Sequence, residues 1–82
     1  MIERGVIEQA YSFFHQKLRV YEFSRSESQC DDIEYAISAY VDGMSQELYE
    51  LLSGGDKDFL RAHPSFECDL RRAVTRMEEM LV

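Results

Sequence analysis

Residues 30–52 most constrain what this chain can fold into, because their apolar side chains recur at the spacing of one helix face. Intervals of three, four and seven residues place these side chains on one side of a helix with 3.6 residues per turn. The apolar positions are Ile33, Ile37, Tyr40, Val41, Met44, Leu48, Leu51 and Leu52. The pattern predicts one long helix over 29–53, with Ser28 as its N-cap and Gly43 tolerated in its interior.

A second helix is predicted over 2–23, where the apolar residues cover about half of the helix circumference. A stripe of this width indicates contact with two neighbouring helices rather than one. Its central seam is Ile7, Tyr11, Phe14, Leu18 and Tyr21, and the residues that widen it are Val6, Ala10, Phe13 and Val20.

The third predicted helix covers 64–81 and begins at Pro64. Proline suits a first helical position, because its missing N–H has no intrahelical partner there. The apolar stripe of this helix is Phe66, Leu70, Ala73, Val74, Met77, Met80 and Leu81. On its polar face, Asp69 and Arg72 stand three residues apart, a spacing that favours an ion pair.

The connection between the two later helices starts at Gly54-Gly55, which ends a helix readily. We expect a short helical turn over about 56–62, in which Phe59 and Leu60 close one end of the core. No segment alternates apolar and polar residues over the length of a strand. The sequence therefore predicts an all-α, three-helix bundle with helices over about 2–23, 29–53 and 64–81, and a single domain spanning 1–82.

The net charge of −7 is concentrated in the middle of the chain. Residues 27–58 contain nine acidic residues and one lysine, which gives this segment a net charge of −8, whereas residues 1–26 carry +1 and residues 59–82 are neutral. This distribution disfavours unspecific binding to nucleic acid or to an anionic membrane, and it favours a partner with a basic surface.

The expected compartment is the cytoplasm. Glu3, Arg4 and Glu8 interrupt the start of the chain where a secretion signal would be apolar, and no apolar run approaches the ~20 residues that span a bilayer. In the cytoplasm, Cys30 and Cys68 are expected to remain reduced thiols.

Two histidines and two cysteines are the residues from which a zinc site would be built: His15, Cys30, His63 and Cys68. Structural zinc sites usually take their ligands as two close pairs, and here only His63 and Cys68 lie near each other in sequence. The sequence therefore predicts no metal site and no cofactor. It also lacks the local signatures of an activated nucleophile or a phosphate-binding loop, so we expect no enzymatic activity.

A strip on the outer side of the predicted central helix is the candidate interface. Tyr35, Asp42 and Tyr49 recur every seven residues opposite the apolar stripe, and Gln46 lies beside them. Tyrosine is frequent at interfaces, because its ring buries a large area while its hydroxyl still forms hydrogen bonds. Two interpretations stay open: an interface for a basic protein or for a second copy of the chain, or two ordinary surface tyrosines. The first predicts a non-enzymatic interaction or regulatory module, either bound to a foreign protein or homodimeric.

The alternative function is a nucleic-acid-associated helical domain that uses Arg71, Arg72 and Arg76 of the final helix. Each of these arginines has an acidic residue three or four positions away, and the sequence pI is about 4.7. Both features depart from the basic footprint of nucleic-acid-binding domains. The sequence therefore favours protein contact over nucleic-acid contact.

Overall fold

The computed structural model describes residues 2–24 and 26–82, and every regular element in these ranges is helical. Four α-helices follow in chain order, and a short 3₁₀ helix, His63–Ser65, directly precedes the last of them. The α-helices are α1 (Arg4–Phe23), α2 (Glu27–Gly43), α3 (Gln46–Ser53) and α4 (Phe66–Leu81). The predicted all-α class is confirmed. The single helix predicted over 29–53 is wrong, because two helices occupy that stretch.

The break between α2 and α3 lies at Gly43, Met44 and Ser45. Met44 adopts an extended backbone and donates its N–H to the carbonyl of Val41 at 3.3 Å. The Ser45 hydroxyl then caps α3 by accepting the N–H of Leu48 at 3.5 Å. Glycine has low helix propensity and serine is a favoured N-cap, so this short stretch ends one helix and begins the next.

Helix α2 begins at Glu27, two residues before the predicted start at 29, and its N-cap is Ser26 rather than Ser28. Ser26 has the extended backbone of an N-cap, and its hydroxyl accepts the N–H of Gln29 at 3.4 Å. Glu27 follows in the first turn, where the helix dipole favours negative charge. Ser28 is therefore a residue of the first helical turn, and its assignment as the N-cap is wrong.

Apolar side chains from all four α-helices and from the connection after α3 meet in one core. Helix α1 packs mainly along α4 and also contacts α2, while α3 packs on α4. This arrangement confirms that α1 has two neighbours, although Val6 and Val20 at the edges of its predicted stripe are exposed. The largest fully buried side chains are Phe14, Phe59, Phe66, Ile37, Leu48, Leu52, Leu60, Leu70 and Met77.

The connection after α3 forms hydrogen-bonded turns over 56–62 instead of the predicted helical turn. Gly54 ends α3 in the left-handed conformation, with φ of 63°. Leu60 also has a φ of 63°, which interrupts any helical continuation, yet its side chain and that of Phe59 are buried as predicted. The first regular turn after this connection is the 3₁₀ helix that contains Pro64, so α4 begins at Phe66 rather than at 64.

Candidate functional site

The break after Gly43 divides the tyrosine strip that a continuous helix would have presented. Tyr35 lies on α2 with 78% of its surface exposed. Tyr49 lies on α3 and is half-buried, and its hydroxyl donates to the carbonyl of Phe59 at 2.9 Å. Its ring also packs edge-on against the Phe59 ring, with the centroids 6.1 Å apart. Tyr49 thus supports the connection after α3, whereas Tyr35 remains available for contact.

The other predicted strip residues lie around Arg61, a residue that the sequence analysis did not include in the strip. Asp42, Gln46 and Tyr49 line one shallow cavity of about 260 Å³ together with Arg61. The guanidinium Nη2 of Arg61 donates to Asp42 Oδ1 at 2.7 Å, and this hydrogen bond is the main cause that raises the pKa of Arg61. No local pattern could have indicated this pair, because 19 residues separate its members.

The outward side of α2 presents Asp32, Tyr35, Ala39 and Asp42, all of them exposed. Their spacing of three, four and three residues places them along one stripe, which is called the Tyr35 face below. Helices α2 and α3 together carry seven carboxylate side chains and no lysine or arginine. The exposed ring of Tyr35 therefore lies in a strongly acidic part of the surface.

A groove of about 490 Å³ opens beside the Tyr35 face, between α1 and the break after α2. Most of its lining side chains are apolar, among them Val6, Ala10, Ala39, Tyr40, Met44 and Leu48. Gly43 also lines the groove, and a Cβ atom placed there would meet nothing within 4 Å. Because Ala39 belongs both to the groove and to the Tyr35 face, the two form one continuous surface.

A second cluster lies where the 3₁₀ helix meets α2. The His63 imidazole is exposed, and its Nδ1 lies 2.9 Å from both carboxylate oxygens of Glu34. Asp31 stands one turn earlier on α2, and one ligand atom from each of these three residues lies within 4.8 Å of the others. The hydrogen bond and the charge of Glu34 raise the pKa of His63, with further contributions from Asp31 and Glu27.

The wall of this cluster is formed in part by Tyr21 of α1. Its hydroxyl donates to Glu34 Oε2 at 3.4 Å, and its ring packs on that of Phe66. Burial raises the pKa of Tyr21 to about 12, and the charge of Glu34 adds to this effect. Tyr21 therefore remains protonated and acts as a donor to Glu34 across the neutral pH range.

Of the four residues considered as zinc ligands, Cys30 and His63 line one surface cavity of about 380 Å³. His15 instead stacks on Tyr11 of its own helix, and Cys68 is an exposed free thiol on α4. The site residues predicted from the sequence did not include Asp31 and Glu34, the carboxylates that lie close to His63. Their signal is the interval of three residues between Asp31 and Glu34, which places both on one side of α2.

Two of the three arginines proposed for nucleic-acid contact donate hydrogen bonds to other residues of this protein. Arg71 donates to Glu22 at 2.7 Å and lies 3.6 Å from Glu67, and Arg76 donates to the carbonyl of Leu51 at 3.1 Å. Arg72 is exposed. The expected pair of Asp69 with Arg72 is wrong, because Asp69 is buried and accepts the N–H of Leu60 instead. Nucleic-acid binding through Arg71, Arg72 and Arg76 stays a prediction.

In the described ranges, no helix combines the length and the apolar character that crossing a bilayer requires. Comparisons with models of protein families, with curated proteins and with solved structures find no match to this chain.

Proposed function

We propose that this protein is a non-enzymatic, cytoplasmic interaction module that binds a basic protein through the Tyr35 face. The observation that carries this proposal is the Tyr35 ring, 78% exposed on a helix that bears acidic and no basic residues. Fully burying a large apolar side chain is worth roughly 1.5–3 kcal/mol. A partner that covers this ring would therefore gain a substantial part of its binding free energy at one residue.

The charge of the surface defines the chemistry of the partner. Asp32 is exposed beside Tyr35, and Arg61 lies against Asp42, the other carboxylate of the Tyr35 face. Lysine or arginine side chains on the partner would complement this surface and would accelerate the encounter. Such steering weakens as salt screens the charges, so the association rate should fall with ionic strength.

The groove provides a place for an apolar anchor of the same partner. An amphipathic helix lays its apolar side chains into such a groove while its charged flanks contact the rim. If one apolar side chain of the partner helix occupies the groove between Val6 and Met44, the basic residues next to it on that helix would contact the Tyr35 face. The partner we propose is therefore a basic amphipathic helix of another protein.

We also propose a bundle arrangement in which α1 packs against α4 and α2 packs against α1. The outer side of α2 is exposed to solvent in this arrangement. In a symmetric dimer, the same surface patch of each copy faces its counterpart. Pairing two Tyr35 faces in this way would bring like charges together, because α2 bears acidic and no basic residues, although Arg61 offsets the charge of Asp42. A foreign basic partner is therefore favoured over a second copy of this chain.

The experiment is an affinity capture from the native cell extract with three immobilised forms of the protein. These are the wild type, Tyr35→Ala, and the control Thr75→Ala, which changes an exposed residue on α4. We expect a basic protein to be retained by the wild type and by the control and lost with Tyr35→Ala. Equal thermal melting curves for the three forms would show that the fold is retained.

Retention of the same proteins by all three forms would overturn the assignment of the Tyr35 face. Light scattering on the purified wild type decides between foreign and self contact. We expect the mass of a monomer. A dimer that dissociates in Tyr35→Ala would instead identify a second copy as the partner.

A further inference from the structure

We propose that Asp31, Glu34 and His63 form a binding site for a divalent transition-metal ion, with Zn²⁺ as the ion that the ligand chemistry fits best. Each of the three side chains offers one ligand atom, and these atoms lie within 4.8 Å of one another. The proposal stands apart from the Tyr35 face, since neither Glu34 nor His63 belongs to that surface.

The spacing of His63 and Glu34 is close to that of two ligands on one metal ion, and Asp31 offers a third ligand atom within 4.8 Å. Ligands at about 2.0–2.1 Å from a tetrahedral zinc ion lie roughly 3.3 Å from each other. His63 Nδ1 is 2.9 Å from both oxygens of Glu34, so a small adjustment would admit an ion between them. Helix α2 fixes the relative positions of Asp31 and Glu34, and Pro64 restricts the backbone next to His63.

The types of ligand select the class of ion. Calcium and magnesium prefer sites made of oxygen ligands alone, whereas a site with an imidazole nitrogen suits zinc and its neighbours. The charges of Asp31 and Glu34 would balance the two positive charges of the ion if His63 binds in its neutral form. Three protein ligands leave a fourth tetrahedral position for water, which is the arrangement of an open zinc site.

A surrounding hydrogen bond supports a metal site at this position. Metal-ligating carboxylates are themselves hydrogen-bonded in most sites, which fixes their orientation. The Tyr21 hydroxyl donates to Glu34 Oε2 at 3.4 Å, and both carboxylate oxygens of Glu34 face His63 Nδ1. The Glu34 side chain is only 18% exposed, so it is held in place, while the exposed imidazole of His63 keeps the site open to solvent.

The competing interpretation is an ion pair between protonated His63 and Glu34, and Asp31 distinguishes the two. An ion pair needs a single carboxylate, whereas a metal ion gains from each carboxylate that converges on it. Binding of Zn²⁺ would also displace a proton from His63, because only the neutral imidazole can coordinate. Removing Asp31 should therefore weaken metal binding and leave the pair of His63 with Glu34 in place.

The experiment is a calorimetric titration of the chelator-treated protein with ZnCl₂, at a pH near 7.5. We expect one ion per chain in the wild type and at least ~10-fold weaker binding in Glu34→Gln, His63→Gln and Asp31→Asn, as expected when a contributor to a metal site is removed. His15→Gln and Glu8→Gln are the matched controls, since they change the other histidine and an exposed glutamate on α1 without touching the cluster. Both controls should bind as the wild type does.

A titration with CoCl₂ gives an independent readout, because the visible absorption of Co²⁺ reports its coordination geometry. We expect this band in the wild type and both controls, and its loss in His63→Gln. Circular dichroism of each variant checks that the helices are retained. The proposal is overturned if the wild type binds no zinc at a millimolar concentration, or if all three cluster variants bind as tightly as the controls.

Discussion

Asp69 holds the connection after α3 against the final helix, although it is an ionisable residue that is only 4% exposed. Its Oδ2 atom accepts the N–H of Leu60 at 3.0 Å and the hydroxyl of Ser65 at 3.3 Å. Leu60 has a left-handed backbone, which costs a residue with a side chain roughly 1–2 kcal/mol. The hydrogen bond to Asp69 and the burial of the Leu60 side chain together offset this cost.

Replacing Asp69 with alanine should lower the free energy of unfolding by about 1.5–3 kcal/mol, the usual effect of losing a buried hydrogen bond to a charged group. Asp69→Asn keeps an acceptor and should cost less. Urea denaturation of both variants measures the difference, with the exposed neighbour Glu67→Ala as the control. If Asp69→Ala unfolds at the same urea concentration as the control, then Asp69 does not stabilise the connection.

Two serine caps mark the starts of the two helices into which residues 27–53 are divided. The Ser26 hydroxyl caps α2 and the Ser45 hydroxyl caps α3, each by accepting an N–H three residues ahead. Without the second cap, the first N–H groups of α3 would lose a side-chain acceptor next to the core residue Leu48. The cap therefore stabilises the start of the helix that carries Tyr49 against Phe59.

Alanine substitution distinguishes the caps from the neighbouring serine. We expect Ser26→Ala and Ser45→Ala each to lower the free energy of unfolding by about 1 kcal/mol, as the loss of an N-cap does. Ser28 lies in the first turn of α2 and is exposed, so Ser28→Ala should leave stability unchanged or raise it slightly. Thermal unfolding followed by circular dichroism ranks the three variants. A larger loss in Ser28→Ala than in Ser26→Ala would contradict the observed start of α2.

Across the molecule, burial of the core side chains is complete at Phe14 of α1 and only partial at Met44 beside the groove. Phe14 is completely buried, and Tyr40 packs edge-on against its ring at 5.4 Å. Met44 lies at the groove and is only half-buried. The two side chains should therefore contribute unequally to the stability of the fold.

Phe14→Ala should cost about 3–5 kcal/mol, the usual loss for deleting a buried aromatic side chain. Small domains have roughly 5–15 kcal/mol of total stability, so this loss is a large fraction of the total and should move the denaturation midpoint to a markedly lower denaturant concentration. Met44→Ala should cost less than Phe14→Ala, since part of its surface is already in water. Equilibrium denaturation of both variants tests this order, and equal losses would show that the groove is closed in solution.

Local sequence patterns predicted the all-α class, the apolar stripe of the final helix and the burial of Phe59 and Leu60. They also predicted the first helix and its end at Phe23, but α1 begins at Arg4 rather than at residue 2. These features follow from local spacing, because the helical period and the preference of a residue for water act over a few positions. The same reasoning did not predict the helix break at Gly43. Val41 and Leu48 are seven residues apart and both buried on either side of it, as they would be in one continuous helix.

The contacts between charged side chains far apart in sequence follow from the packing of the segments rather than from local spacing. Arg61 reaches Asp42 across 19 residues and His63 reaches Glu34 across 29, so each pair depends on how the connection after α3 folds back over α2. The same path buries Tyr49 in part and leaves Tyr35 exposed, although the two tyrosines look equivalent in sequence. Spacing along a chain fixes the faces of a helix, but the packing of distant segments fixes what each face contacts.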